Sequence, residues 1–286
     1  MFEKVLFPTD FSDFAQKMLD CITDIPGVKE VILLYVIDAT QSSGYGWTHQ
    51  EEYENAKLIM EEKKAYLEER GLKATTYIEM ITDGKMYQKI LDIAEQEKVS
   101  LMVIGTHQKS SVETFMHGSM SYDLLHHMNT QVLILRENVV ELPPGKSREV
   151  SCPHIFSKVL VPVDFTENSR ELLTHIREMH GISELVLMHV VMEWETGQEI
   201  EPGIVYARVE LAKIQKDLEQ AGLRVTVHIR IANPVENIVT LAEAENVSLI
   251  LMCAHKKGGL EKFLEGSTTF SVVKNAKNPV LILRMG

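Results

Sequence analysis

Cysteine is scarce in this sequence: Cys21, Cys152 and Cys253 are the whole complement of its 286 residues. Three scattered thiols suggest neither a disulfide framework nor a zinc cluster, and the default they leave is a reduced, cytosolic protein. Long apolar runs are missing too. None approaches the about 20 residues that span a bilayer, and Met1-Phe2-Glu3-Lys4-Val5-Leu6 passes straight into a strand-like run with no export pattern. Positive charge is also short: 29 basic residues against 41 acidic ones leave a net charge of −12. A nucleic-acid binder relies on a basic face to displace counterions. Membrane and nucleic acid are therefore not expected as partners. What is present, 45% hydrophobic and 24% charged residues, is the composition of an ordinary globular protein. The length suits one large domain or two modest ones.

An internal repeat decides between them. Lys4-Val5-Leu6-Phe7-Pro8-Thr9-Asp10-Phe11 returns as Lys158-Val159-Leu160-Val161-Pro162-Val163-Asp164-Phe165, with six identities in eight positions at an offset of 154. Residues 31–36 align with 185–190 at the same offset. Residues 99–104 match 247–252, and Val132-Leu133-Ile134-Leu135-Arg136 matches Val280-Leu281-Ile282-Leu283-Arg284, both at an offset of 148. Four blocks in one order make two domains, expected at 1–138 and 155–286. The stretch 139–154 between them, with Pro143, Pro144 and Gly145 and no periodicity, reads as a linker.

Within each copy, short apolar β-branched runs alternate with longer amphipathic stretches, the pattern of a parallel sheet covered by helices. In the first copy strands are expected near 4–9, 30–37, 73–81, 100–105 and 131–136. The run 31–37 is apolar throughout, as a strand covered on both faces should be. Helices are expected after an N-cap at Ser12, with Phe14, Met18 and Ile22 on one face, then over 49–70 ending at Gly71, over 86–97 and over 119–128. The fold class is α/β: two tandem five-stranded parallel-sheet sandwich domains.

Open parallel sheets take ligands beyond the carboxyl ends of their strands, where the strand order reverses. Pro8-Thr9-Asp10 stands there in the first copy. An acidic residue can accept from a ribose hydroxyl or an exocyclic amine, or can simply cap the first helix; Asp164 repeats the position without deciding between the two. Ile104-Gly105-Thr106-His107-Gln108 ends the fourth strand, and Gly118-Ser119-Met120-Ser121 opens the last helix. A glycine at a strand end lets a ligand approach the backbone. Gly-Ser at a helix start offers free N–H groups and a hydroxyl for phosphate, or only a turn and an N-cap. His126-His127 and His117 lack metal-ligand spacing, and no catalytic residue is singled out. Cys253, without an activating histidine, reads as a small buried apolar residue. Residues 40–46, with Tyr45 and then Trp47, read as a lid or as a surface loop.

The order and spacing of these blocks resemble the universal stress protein family, whose nucleotide signature is Gly, two residues, Gly, nine residues, then Gly-Ser/Thr. Gly105 holds the first position, Gln108 replaces the second glycine, and Gly118-Ser119 follows after nine residues, 109–117. The resemblance implies a Rossmann-like domain with adenine against Pro8, Thr9, Asp10 and Val36. Ribose and phosphates would then lie along Gly105, Gln108, Gly118, Ser119, Met120 and Ser121, with His107 within reach of a phosphate. Gln108 puts a side chain where a glycine is expected, which suits AMP better than ATP. In the second copy the matching positions are Pro162, Val163, Asp164, Val190, Cys253, Lys256, Gly266, Ser267, Thr268 and Thr269. Here Cys253 and Lys256 replace both glycines.

The implied function is an adenine-nucleotide-binding regulator or sensor of stress without efficient catalysis, with ATP or AMP as ligand and magnesium if ATP. No Gly-x-x-x-x-Gly-Lys-Ser/Thr loop is present to anchor phosphoryl transfer. Two alternatives stand beside it: a weak ATPase or adenylyl-transfer enzyme of the wider nucleotide-binding α/β group, and a nucleotide-independent scaffold. The family also implies that the two domains pair through their last strands, whose apolar runs 132–135 and 280–283 make poor bare edges, and it allows a homodimer of the whole chain.

Overall fold

Apolar residues occupy the centre of every inner strand, so both sheet faces need cover, and helices supply it. In the computed structural model the chain divides into two units, Met1–Pro153 and His154–Gly286. The structure describes residues 1–41, 48–106, 120–127, 129–136, 154–192, 200–255 and 268–285. Unit 1 runs β1 (Lys4–Pro8), α1 (Asp13–Thr23), β2 (Glu30–Asp38), α2 (His49–Glu68), β3 (Lys73–Ile81), α3 (Met86–Gln96), β4 (Leu101–Thr106), α4 (Met120–His127) and β5 (Gln131–Arg136). Its strands lie in the order β3-β2-β1-β4-β5, all parallel to their neighbours. Unit 2 repeats it: β6 (Lys158–Pro162), α5 (Glu167–Glu178), β7 (Glu184–Val191), α6 (Ile200–Gln220), β8 (Arg224–Ile231), α7 (Pro234–Ala244), β9 (Leu249–His255), α8 (Thr268–Asn275) and β10 (Val280–Met285). Its order is β8-β7-β6-β9-β10, again parallel. The tandem α/β architecture expected from the repeat is therefore present. The expected linker, apart from His154, lies outside the described residues.

Local chemistry accounts for the element ends. Ser12 Oγ accepts from Ala15 N–H at 3.1 Å and starts α1, which buries Phe14, Ala15, Met18, Leu19, Cys21 and Ile22. Thr48 and Glu51 form a reciprocal capping box on α2. That helix leaves through Gly71 (φ 79°), with Leu72 N–H to Leu67 C=O at 3.1 Å and Gly71 N–H to Glu68 C=O at 2.9 Å. In unit 2 Gly222 (φ 91°) ends α6 the same way, with bonds of 3.2 and 3.0 Å from Leu223 and Gly222. This fixes the helix correspondence, in which Ala56, Met60 and Leu67 match Ala207, Leu211 and Leu218, all buried.

The amino ends of the sheets carry matched ion pairs. Lys4 bonds Glu97 at 2.5 Å and lies 3.6 Å from Glu30. Lys158 bonds Glu245 at 2.9 Å and lies 4.0 Å from Glu184. One expectation about cysteine needs correcting. Buried Cys21 is disulfide-bonded, so the reading of wholly reduced cysteines fails at that position, while Cys253 is a free thiol.

Candidate functional site

In unit 1, β1 leads on to β2 on one side, while β4 joins it on the other, so the chain parts at the carboxyl end of β1. Thr9 N–H donates to Leu34 C=O at 2.9 Å and holds the exit of β1 against β2. Val36 lies two residues further along β2, on the same face as Leu34. Thr9 Oγ1 accepts from Phe11 N–H at 3.1 Å, and Asp10 Oδ1 accepts from Ser12 N–H at 3.0 Å. The helix N-cap is therefore Ser12, with Asp10 closing the turn before it. Among the described residues the Asp10 carboxylate takes no other hydrogen bond, and it is exposed. Phe11 adopts a left-handed backbone (φ 60°) and stacks on Tyr35 at 4.3 Å between ring centroids. The Tyr35 hydroxyl donates to Glu52 Oε1 of α2 at 2.8 Å.

Unit 2 keeps the backbone and changes the chemistry. Phe165 is again left-handed (φ 61°) and stacks, at 4.3 Å, on His189. Because His189 Nδ1 lies 2.8 Å from Val163 C=O, Nδ1 carries the proton and donates it. Asp164 Oδ1 is crowded with donors: Thr166 Oγ1 at 2.6 Å, Thr166 N–H at 3.1 Å, and the Ser169 hydroxyl. Desolvation pushes this carboxyl up, but the bonds from Ser169 and Thr166 outweigh it and hold the pKa below the ordinary carboxylate value. Ala15 stands at the Ser169 position in unit 1.

Gly105 proves to be a packing glycine. A Cβ there would meet Met18 Sδ at 2.5 Å, Met18 Cε at 2.6 Å and Phe14 Cε1 at 2.7 Å, so its missing side chain makes room for α1. The expectation of an open approach for a ligand is amended accordingly. Unit 2 has Cys253 at that position, with Asn168 and Leu172 where unit 1 has Phe14 and Met18. Burial and then the charge of Asp164 push the Cys253 thiol up to about 11, so it stays protonated at neutral pH and is no nucleophile.

Several expected site residues cannot be located. His107, Gln108, Gly118, Ser119, Lys256, Gly266 and Ser267 lie outside the described residues. Met120 and Ser121 open α4, and Thr268 and Thr269 open α8, with Thr269 buried. Of the expected lid only Thr40 and Gln41 are described, both bonded to Asp38 at 2.7–3.1 Å. Among the described residues no group of three His, Cys, Asp or Glu side chains could hold a metal ion, and no helix is long and apolar enough to cross a membrane. One charged residue that sequence reasoning passed over is Arg136, buried at the carboxyl end of β5 with its Nη1 on Thr106 Oγ1 at 2.8 Å. Read in sequence, it looked like the polar end of an apolar strand.

Comparison with known proteins assigns the chain. The model of the universal stress protein family matches residues 1–136 and again 156–284. The chain belongs to the universal stress protein family. It is similar to universal stress protein Slr1230 of Synechocystis, 24% identical over 98% of this chain and 89% of that protein. Universal stress protein MJ0577 of Methanocaldococcus jannaschii is 31% identical over 46% of this chain and 96% of its own length, as befits a relative the length of one repeat. A universal stress protein from Archaeoglobus fulgidus has a solved structure that matches with a TM-score of 0.73 and 25% identity, covering 99% of this chain and 96% of that one. In this universal stress protein, then, the two units share one fold and differ at the carboxyl edge of the sheet.

Proposed function

We propose that the protein binds adenine nucleotide in unit 1 and serves as a regulator or sensor without efficient catalysis. The observation that supports this most is the contrast between the two aspartates. Both side chains reach solvent, but Asp10 accepts a single turn-closing hydrogen bond among the described residues, whereas Asp164 accepts from Thr166 N–H, the Thr166 hydroxyl and the Ser169 hydroxyl. A carboxylate with spare lone pairs at the parting of strands suits a base amine or ribose hydroxyl. On this reading Pro8, Thr9, Asp10 and Val36 hold the adenosine end. Gly105, His107, Gln108, Gly118, Ser119, Met120 and Ser121 border the phosphates, which with a net charge of −12 must be held locally, by N–H groups and helix dipoles. The side chain of Gln108 favours AMP over ATP; magnesium would enter only with ATP.

Unit 2 is read differently. With Asp164 engaged and a cysteine at the Gly105 position, its residues Pro162, Val163, Val190, Lys256, Gly266, Ser267, Thr268 and Thr269 form a weaker site, and the unit acts mainly as a scaffold. Pairing of the domains through their last strands, a homodimer of the chain and a cytoplasmic location belong to the same proposal. Calorimetric titration with ATP, ADP and AMP, run beside a turnover assay, tests it. The expected result is heat with a stoichiometry near one, negligible turnover, and loss of binding in Asp10→Ala and Gly118→Asp. No heat with any nucleotide would overturn the reading, and robust turnover would replace it with an enzyme.

A further inference from the structure

Arg136, the last residue of β5, lies in register with Thr106, the last residue of β4. Both are buried, at 7% and 5% exposure. The bond from Arg136 Nη1 to Thr106 Oγ1 fixes one corner of the guanidinium. Nε and Nη2 are buried as well and, among the described residues, have no hydrogen-bond partner. These are the two nitrogens whose N–H groups run side by side along one edge of the guanidinium plane. That edge grips the paired oxygens of a carboxylate or phosphate with two parallel bonds. Burial draws the pKa down to about 10, with no carboxylate among the described residues acting against it, so the group remains a cation at neutral pH. A buried charge without a counter-charge, carrying two orphaned donors, is strongly unfavourable for a folded chain on its own. It is accounted for when a partner from outside the chain completes it.

We propose that the Nε–Nη2 edge of Arg136 binds a tetrahedral oxyanion of the phosphate class at the carboxyl end of β4 and β5 in unit 1. Three features converge there: the position, where parallel sheets receive ligands, the unfilled two-pronged donor edge, and the threonine hydroxyl that orients it. Unit 2 has Ala254 at the Thr106 position, so the orienting hydroxyl is missing and the proposal does not extend to it. The oxyanion is either inorganic phosphate or a phosphate of the bound nucleotide. Only the second source rests on the nucleotide reading above.

The test uses the full chain, followed by thermal unfolding and calorimetry with inorganic phosphate, with chloride at matched ionic strength as the control. Arg136→Met keeps the length and removes the charge; Arg136→Lys keeps the charge and loses the paired donors. Phosphate should raise the unfolding midpoint of the wild type more than chloride does. Without phosphate, Arg136→Met should unfold at or above the wild-type midpoint, because an uncompensated charge has gone, and its phosphate response should vanish. Arg136→Lys should bind phosphate about tenfold or more weakly, as expected for loss of one charge-assisted bond, and it carries the test alone if the methionine variant does not fold. A wild type indifferent to phosphate whose AMP binding neither variant weakens, or an Arg136→Met variant that responds like wild type, overturns the proposal. Parallel titrations with AMP separate the sources: weakened AMP binding in both variants assigns the oxyanion to the nucleotide, and unchanged AMP binding beside a lost phosphate response assigns it to the free ion. AMP binding that neither variant weakens, with no phosphate response in any form, sinks this inference and leaves the proposed function standing. A phosphate response without nucleotide binding does the reverse.

Discussion

The two units of this chain are the same fold solving the same packing problem with different residues, and the differences lie where a side chain in one has an answering change in another element. At Gly105, α1 sits close because no Cβ intervenes. At Cys253 a side chain is present, and α5 offers Asn168 and Leu172 instead of Phe14 and Met18. Between α1 and α2, Tyr66 stands half-buried with its hydroxyl on Asp20 and Arg70 over its ring at 3.5 Å. Burial and then the bond to Asp20 raise its pKa to about 12. In unit 2, Asp217 takes that position and pairs with Arg177 at 3.4 Å. The crevice between α5 and α6 stays open there, as a pocket of about 280 Å³ floored by Val163, Leu173 and Leu218. A repeat thus shows which residue pairs must change together.

The sharpest way to break the comparison is to transplant half of such a pair. Gly105→Val should destabilise unit 1 by about 3 kcal/mol, because the added atoms fall on Met18 and Phe14. Gly105→Cys combined with Phe14→Asn and Met18→Leu, the unit 2 set, should recover most of that loss. Urea unfolding checks this, and the single tryptophans Trp47 and Trp194 let Trp→Phe variants report each unit separately. Next in size is Tyr66→Ala, expected to cost about 2 kcal/mol through lost ring burial and the bond to Asp20; Asp217→Ala in unit 2 should cost only a few tenths, since its ion pair is exposed.

How much of this was legible beforehand follows from the range of each interaction. Strands were readable because runs such as 31–37 and 101–104 are apolar at consecutive positions, and the start of α1 because Ser12 acts within three residues of itself. The tandem family assignment was readable because four blocks recur in order. The role of Gly105 was not, since it depends on side chains 87 and 91 positions earlier. Nor was Arg136, whose orphaned nitrogens are a property of what surrounds them in space. Asp10 and Asp164 look alike in sequence, and the hydroxyls of Thr166 and Ser169, two and five residues on, separate them.

Two smaller effects sharpen that last contrast. Ser169→Ala should cost unit 2 about 1 kcal/mol and leave Asp164 more like Asp10; the expected gain is measurable nucleotide heat at a second site, read by calorimetry. Acid should then act on both units. The pKa values of Glu97, Glu245 and Asp164 are held below their ordinary values in the folded chain, Glu97 and Glu245 chiefly by bonds from Lys4 and Lys158. Their contribution is complete above the unfolded carboxylate range near pH 4 and is lost as pH falls through the lower folded values. Urea midpoints at pH 7, 5 and 3 should show a modest decline in both units, flattened in unit 2 by Asp164→Asn. An Asp164→Asn variant that declines as steeply as the wild type would mean that the bonds to Asp164 contribute nothing measurable.

The strand order also has a consequence in time. In unit 1 the first three strands join in chain order, β3 on β2 and β2 on β1, while β4 must return to the far side of β1 across more than ninety residues. A chain emerging from the ribosome can therefore assemble three strands and α1 as soon as residue 81 is made. β4 follows only later and must fit against α1, with β5 coming after it. Gly105 is then the clearance that lets a late strand of unit 1 pack against α1.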